Sequence, residues 1–184
     1  TQTGGDGRGV SDAGAEGPRG AEVGTGILIG PQSGTSTVLV SNTTTSYNAF
    51  AGLWFFPGGS GAAKLQFDRI VATNNQFNIA INTFSTTAQS TASVTNSTVA
   101  HGVYGLYAGQ PNTRLMVDRS VVTGNNIGIN SASGATVYVG RSAITKNTTG
   151  IDGNGTTFSY RNNQLDANTT DIGANVTLSN ATLR

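Results

Sequence analysis

An apolar residue following a small or polar one recurs along the chain at Ile27, Leu53, Ile79, Leu106, Ile129, Ile151 and Ile172, in steps of 26, 26, 27, 23, 22 and 21 residues. A period in this range marks a solenoid, because one coil of that length cannot bury its own apolar face and must stack on its neighbours. No helix-forming period competes with it.

Further columns appear when the repeats are aligned on Asn48, Asn75, Gly102, Asn125, Asn147 and Asn168. Ten positions earlier stand Val38, Leu65, Ala92, Leu115, Val137 and Phe158, and eight earlier Val40, Phe67, Val94, Val117, Val139 and Tyr160. The residues between them are mixed in character, so the apolar spacing is two and the segment reads as a strand with one face inward. A second apolar column lies three residues before the Asn column, at Thr45, Ala72, Val99, Val122, Ile144 and Leu165, and the opening Ile or Leu of the next strand follows it. Each coil therefore holds three short strands. The fold expected is all-β, a parallel β-helix of about seven coils of 21–27 residues, some 34 Å long at a strand separation of about 4.8 Å. The column of Asn48, Asn75, Asn125, Asn147 and Asn168 is expected at the bends. There Asn and Gly tolerate the left-handed backbone region, and stacked amides can bond one another.

Composition bounds the rest. Charged residues make up 10% of the chain and the formal net charge is +1, which argues against nucleic acid or an anionic membrane as partner. There is no cysteine, so disulfides and thiolate metal sites are excluded. No apolar run has the length of a membrane span, and no signal peptide is visible. Residues 1–24 differ from the remainder, with eight glycines and three Gly-led triplets in Gly14–Glu22. Three triplets are too few for a triple helix, so 1–24 is expected to form a loose arm or irregular cap and 25–184 the β-helix domain.

The segments VDRSVVTGNNIGI (117–129), VYVGRSAITKNTTGI (137–151) and FSYRNNQLDANTTDI (158–172) resemble bacterial right-handed parallel β-helix repeat proteins of the pectate-lyase-like superfamily. The resemblance covers 25 to the end. It implies a right-handed coil and an extracellular or cell-surface location, and it leaves activity open among lyases, hydrolases, epimerases, tailspikes and adhesins.

Candidate sites follow from outward columns. Asp68 and Asp118 share one column two coils apart, with Thr95 between, which places their backbones roughly 9–10 Å apart, near the upper end for an inverting carboxylate pair. Each is followed by an arginine, Arg69 or Arg119, so a surface charge ladder is the competing reading. The single histidine, His101, has no carboxylate in its own coil and reads as a turn residue. Trp54 and Tyr107 share another outward column, with Phe56, Phe84 and Arg114 expected in loops nearby; such a face suits stacking on sugar rings, or else its rings pack on one another. The residues connecting the opening Ile or Leu to the Val-x-Val strand are most numerous in the early coils, which places any site there. No metal-ligand spacing and no cofactor motif is present.

Two functions are expected from these features. The leading one is a non-catalytic rigid module with a structural or interaction role; the alternative is polysaccharide binding or cleavage, by a lyase or hydrolase, at the aromatic face. Polysaccharide or a second copy of the chain is the expected partner.

Overall fold

The structure, a computed structural model, describes residues 2–3, 24–83 and 89–181. Most of the Gly-rich segment 1–24, and Phe84, lie outside the described residues. What is described contains strands and no helix. The chain winds as a parallel β-solenoid of about seven turns, with every strand pair parallel.

Two sheets form the walls, one of 12 strands and one of 7. The larger is folded along a corner into two wings, because the strands Thr35–Ser46 and Ala62–Thr73 run through that corner without a break. The front wing continues through Ser90–Thr95, Thr113–Asp118, Thr136–Gly140, Thr156–Ser159 and Thr177–Asn180. The side wing continues through Thr98–Ala100, Val121–Thr123, Ala143–Thr145 and Gln164–Asp166, and Gln2–Thr3 pairs with Thr44–Thr45 at its other edge. The back sheet holds Thr25–Ile29, Ala51–Phe55, Phe77–Asn82, Tyr104–Gly109, Ile127–Ser131, Thr149–Asp152 and Thr170–Ile172. Connections from the back sheet to the front wing take five to seven residues in the first three turns and three or four afterwards.

The inward residues of all three walls meet in one continuous core. Leu53, Ile79, Leu106, Ile129 and Ile151 stack from the back sheet, Leu65, Phe67, Val94, Leu115, Val117, Val137 and Val139 from the front, and Ala72, Val99, Val122 and Ile144 from the side. Like residues lie over like because each strand pairs in register with the next. Burying one such side chain contributes about 1.5–3 kcal/mol, available only once the neighbouring coil is in place.

The register expected for the front wing fails in the sixth turn. Val137 pairs with Thr157 and Tyr138 with Phe158, so Phe158 and Tyr160 point outward while Thr157 is buried. The cause is an additional residue in the following corner, Asn162–Asn163, which shifts the strand by one position relative to its bend; a one-residue shift exchanges the two faces. Thr157 Oγ1 is left buried without a hydrogen-bond partner. Phe158 stacks instead on Tyr138, ring centroids 5.0 Å apart.

The bend before the back sheet differs from the expectation in a second respect. Its left-handed position is the residue preceding each Asn: Tyr47, Asn74, His101, Gly124, Lys146 and Ala167 have φ between 55 and 66°. The Asn residues turn inward, Asn48, Asn75, Asn125 and Asn147 being buried and Asn168 partly so. Where Asn follows Asn in successive coils, Oδ1 of the later one accepts both the backbone N–H and the side-chain amide of the earlier. Asn48 donates both to Asn75 at 2.9 Å, Asn125 to Asn147 at 2.9 and 3.0 Å, and Asn147 to Asn168 at 2.9 and 3.0 Å. From Asn75 onward each Nδ2 also donates to a carbonyl of the preceding coil, as Asn147 does to Val122 at 3.1 Å.

Gly102 interrupts the column but leaves the ladder intact. Asn78, three residues beyond Asn75 and fully buried, sends its amide into the vacant place. Its Oδ1 accepts from the Asn75 amide at 2.9 Å, and its Nδ2 donates to Asn125 Oδ1 at 3.0 Å and to the Ala100 carbonyl at 2.9 Å. Gly102 is small because a Cβ there would lie 2.6 Å from Asn78 Nδ2; its φ is not left-handed. The same exclusion explains Gly26, Gly52, Gly105, Gly128 and Gly150, which occupy the column of Asn78 and lie beneath the Asn amide of the next coil. Asn overhangs Gly, and where Asn rises from below, Gly lies above it.

Replacing Asn78 by Gly leaves the Asn75 backbone N–H without its acceptor and removes one bond each from the Asn75 amide, Asn125 Oδ1 and the Ala100 carbonyl, which keep Thr45, Gly102 and Asn74 as partners, and is expected to lower stability by about 1–3 kcal/mol, the cost of a buried unpaired group. Gly102→Asn is expected to be destabilising in the unaltered chain and to recover part of the loss in the Asn78→Gly background. Thermal unfolding followed by circular dichroism reads that reversal of sign.

Candidate functional site

The corner between front and side wings carries the charge. Its left-handed position is held by Asn42, Arg69, Asn96, Arg119, Arg141 and Arg161, with φ between 47 and 61°. The turn it makes carries the next N–H out of the strand pairing, and a serine of the following coil accepts it. Ile70 N–H donates to Ser97 Oγ at 3.0 Å, Ser97 to Ser120 at 3.2 Å and Ser120 to Ser142 at 3.1 Å. This second ladder is also buried.

Outside it, the long side chains lie along the corner. Arg69 Nε donates to Asn42 Oδ1 at 2.6 Å and Arg119 Nε to Asn96 Oδ1 at 3.1 Å. Arg141 donates from Nε and Nη2 to the two oxygens of Asp118, at 2.8 and 2.6 Å. Asp68 accepts from Thr95 Oγ1 at 2.9 Å and Asn96 Nδ2 at 2.7 Å, and pairs with Arg69 Nη1 at 2.6 Å. The sequence LeuX-PheAsp-Arg or LeuX-ValAsp-Arg thus builds one hydrogen-bonded ridge in which a strand's last outward residue is the Asp and the bend residue is the Arg.

Asp68 and Asp118 do align through Thr95, two strand steps apart. Both are committed to the ridge. Hydrogen bonds from Asn96 and Thr95, then the charges of Arg69 and Arg119, hold the Asp68 carboxyl below its ordinary 3.8. A general acid for glycoside cleavage needs the opposite displacement.

The aromatic column lies on a different sheet. Leu28, Trp54, Ala80 and Tyr107 are in register on the outside of the back sheet. Trp54 is only 8% exposed, beneath Phe50 and Phe56, whose ring centroids are 4.4 and 4.9 Å away. Phe77 stacks on Tyr104 at 4.8 Å, and Tyr107 meets both edge-on at 5.5 and 5.6 Å. These rings spend much of their surface on one another. Burial first, and Tyr104 second, raise the Tyr107 phenol above its ordinary 10.0. Phe50, Phe56, Phe77, Tyr104 and Tyr107 are all half-buried, so solvent reaches the rim of the cluster on both sides of Trp54.

Arg114 does not join them. Strand alternation after Thr113 places it on the outside of the front wing, in the column of Lys64 and Thr91. His101 is exposed, and its ring lies over Gly124. The candidate acids, Arg114 and the rings therefore occupy two sheets and share no groove.

Sequence composition also concealed a segregation of charge. Among the described residues, the front wing and its corner carry Lys64, Arg69, Arg114, Arg119, Arg141 and Arg161 against Asp68 and Asp118, whereas the other walls carry Lys146 against Asp152, Asp166 and Asp171. The near-neutral total averages a cationic side and an acidic one. Among these residues no group of three potential metal ligands converges.

No protein family, no curated protein and no solved structure matches this chain.

Because the folded-state pKa of Asp68 is depressed, its contribution to stability is present above the ordinary carboxylate value and is lost as pH falls through the lowered one. Wild type is therefore expected to melt above Asp68→Asn near neutrality, and the gap to close below about pH 4. Separately, Arg141→Ala removes an exposed bidentate pair and is expected to lower the denaturant midpoint only slightly, because solvent screens such a pair.

Proposed function

We propose that this chain is a rigid, non-catalytic β-helical module that serves a structural or interaction role in a secreted or cell-surface protein. The observation that carries this reading is the run of side-chain hydrogen bonds along two corners, by which the coils are bolted together and the acids of the most acidic outward column are engaged with arginines and amides. A wall built this way resists bending, and its acids are held as structural anions. Likeness of its segments to right-handed β-helices of the pectate-lyase-like superfamily fits the same reading and supports an extracellular setting. The cationic front wing is the side on which an acidic partner would find complementary charge.

Polysaccharide binding at the back sheet is the second reading, favoured by the solvent-accessible part of the aromatic cluster around Tyr104 and Tyr107.

Incubation with a panel of neutral and acidic polysaccharides distinguishes these. The expected result is no new reducing end and no unsaturated product; release of product that disappears in Asp68→Asn or Asp118→Asn would overturn the non-catalytic reading. Tyr107→Ala, which leaves the buried Trp54 in place, tests the second reading on a glycan array: binding that the variant abolishes establishes it, and binding that the variant retains removes it.

A further inference from the structure

We propose that the front wing is a docking face for an acidic polypeptide segment of another protein, whose carboxylates are received between Lys64 and Arg114. The inference rests on the interaction role proposed above and names its partner. In-register pairing sets three outward columns on this wing: one through Lys64, Thr91 and Arg114, a middle one that continues to Tyr138 and Phe158, and the ridge of Asp68 and Asp118. The strand Ser90–Thr95 sends out only short side chains, Thr91, Ser93 and Thr95, while its neighbours send out Lys64 and Gln66 on one side and Arg114 and Met116 on the other. A trough one strand wide therefore crosses the wing, its flanking backbones roughly 9–10 Å apart.

Charge sets the sign of the occupant. Lys64 and Arg114 are exposed at one end of the trough, with exposed Thr91 between them, and neither makes a hydrogen bond or ion pair with any other described residue. By contrast, Arg69, Arg119, Arg141 and Arg161 each reach an Asn or Asp of an adjacent coil. Asp68 and Asp118 stand at the other end of the trough and are engaged in the ridge. Six cations against two committed acids leave this wing with a positive field that attracts an anion and repels a cation, and the planar fork of Arg114 matches a carboxylate.

The middle column favours a polypeptide over a sugar polymer. Tyr138 and Phe158 stack on each other, ring centroids 5.0 Å apart and planes 13° from parallel, so each spends a face on the other and the pair turns its edges outward. Ring edges carry the positive end of the quadrupole, which suits a carboxylate, whereas stacking on a sugar needs an open face. Half-buried Met116, one column from Arg114, adds an adaptable apolar surface for aliphatic side chains. Carboxylates interspersed with small apolar groups are what an acidic polypeptide carries.

Biolayer interferometry of the full chain over immobilised poly-L-glutamate, and in parallel over polygalacturonate at equal carboxylate density, tests it; circular dichroism melts verify that each variant is folded. Wild type is expected to bind poly-L-glutamate and to bind polygalacturonate at least about tenfold more weakly. Lys64→Glu and Arg114→Glu are each expected to weaken poly-L-glutamate binding about tenfold or more, and Lys146→Glu, the same charge change at the exposed bend into the back sheet, to alter it less than about twofold. No binding to poly-L-glutamate, equal binding to polygalacturonate, an equal loss in Lys146→Glu, or binding that survives Lys64→Glu and Arg114→Glu would each overturn the proposal. So would self-association of wild type that Arg114→Glu abolishes, which assigns the face to a second copy. A chain that binds neither polymer and releases no product from polysaccharide loses this inference and keeps the non-catalytic reading, so the two fail separately.

Discussion

A buried bend is the constraint on which the rest of this molecule depends. At each turn into the back sheet a backbone N–H and a carbonyl leave the strand pairing inside a core that water does not reach, and an unpaired group there costs about 1–3 kcal/mol. The chain answers with one amide per coil, which accepts from the coil below, donates to its carbonyl and offers its own N–H groups upward. No coil is complete by itself. Because satisfaction always comes from the neighbour, strand register, core stacking and turn-to-turn spacing are locked together, and the ladder is tolerant only of substitutions that return an amide to the same place, as the Asn78 and Gly102 exchange does.

The outer corner follows the same logic with charge. A left-handed residue that is not glycine costs about 1–3 kcal/mol, yet four of the six such positions at this corner are arginine. What offsets the strain is the neighbour again: the guanidinium reaches an Asn or Asp of an adjacent coil. Ion pairs at a surface contribute little individually. Here they are arranged in series with side-chain amides, so that the acids are spoken for and the net positive charge of the front wing remains as a property of the whole face. That is why the arrangement fits a wall better than a catalytic centre.

Much of the fold could be read from the residues, and the reasons are local. The recurrence from Ile27 to Ile172 reports the coil, the Val-x-Val columns report one buried face, and the Asn column reports the bends, because each depends on side-chain type at a fixed spacing. Three features were not legible. The left-handed residue lies one position before the Asn, and Tyr47, His101, Lys146 and Ala167 share no side-chain property that would mark it. Phe158 looked like a core residue by its offset, but offset counted from Asn168 spans the additional corner residue that reverses its face. Gly102 looked like an ordinary bend glycine, although it is small for the sake of Asn78, 24 positions earlier and one coil below.

The candidate site divides along the same line. The sequence alone determined that the chain is a solenoid, which residues point outward except in the front wing of the sixth turn, and that Asp68 and Asp118, or Trp54 and Tyr107, share a column, since columns follow from periodicity. Only the tertiary structure decided what those columns face. Whether two columns lie on one wall or on two depends on how sharply the corners turn, and whether an outward ring is open or covered depends on what neighbouring coils bring against it. Trp54 is outward in register and yet buried, and the acids, Arg114 and the rings are parted onto two sheets, because corner geometry and side-chain packing are set between coils and not within any one repeat.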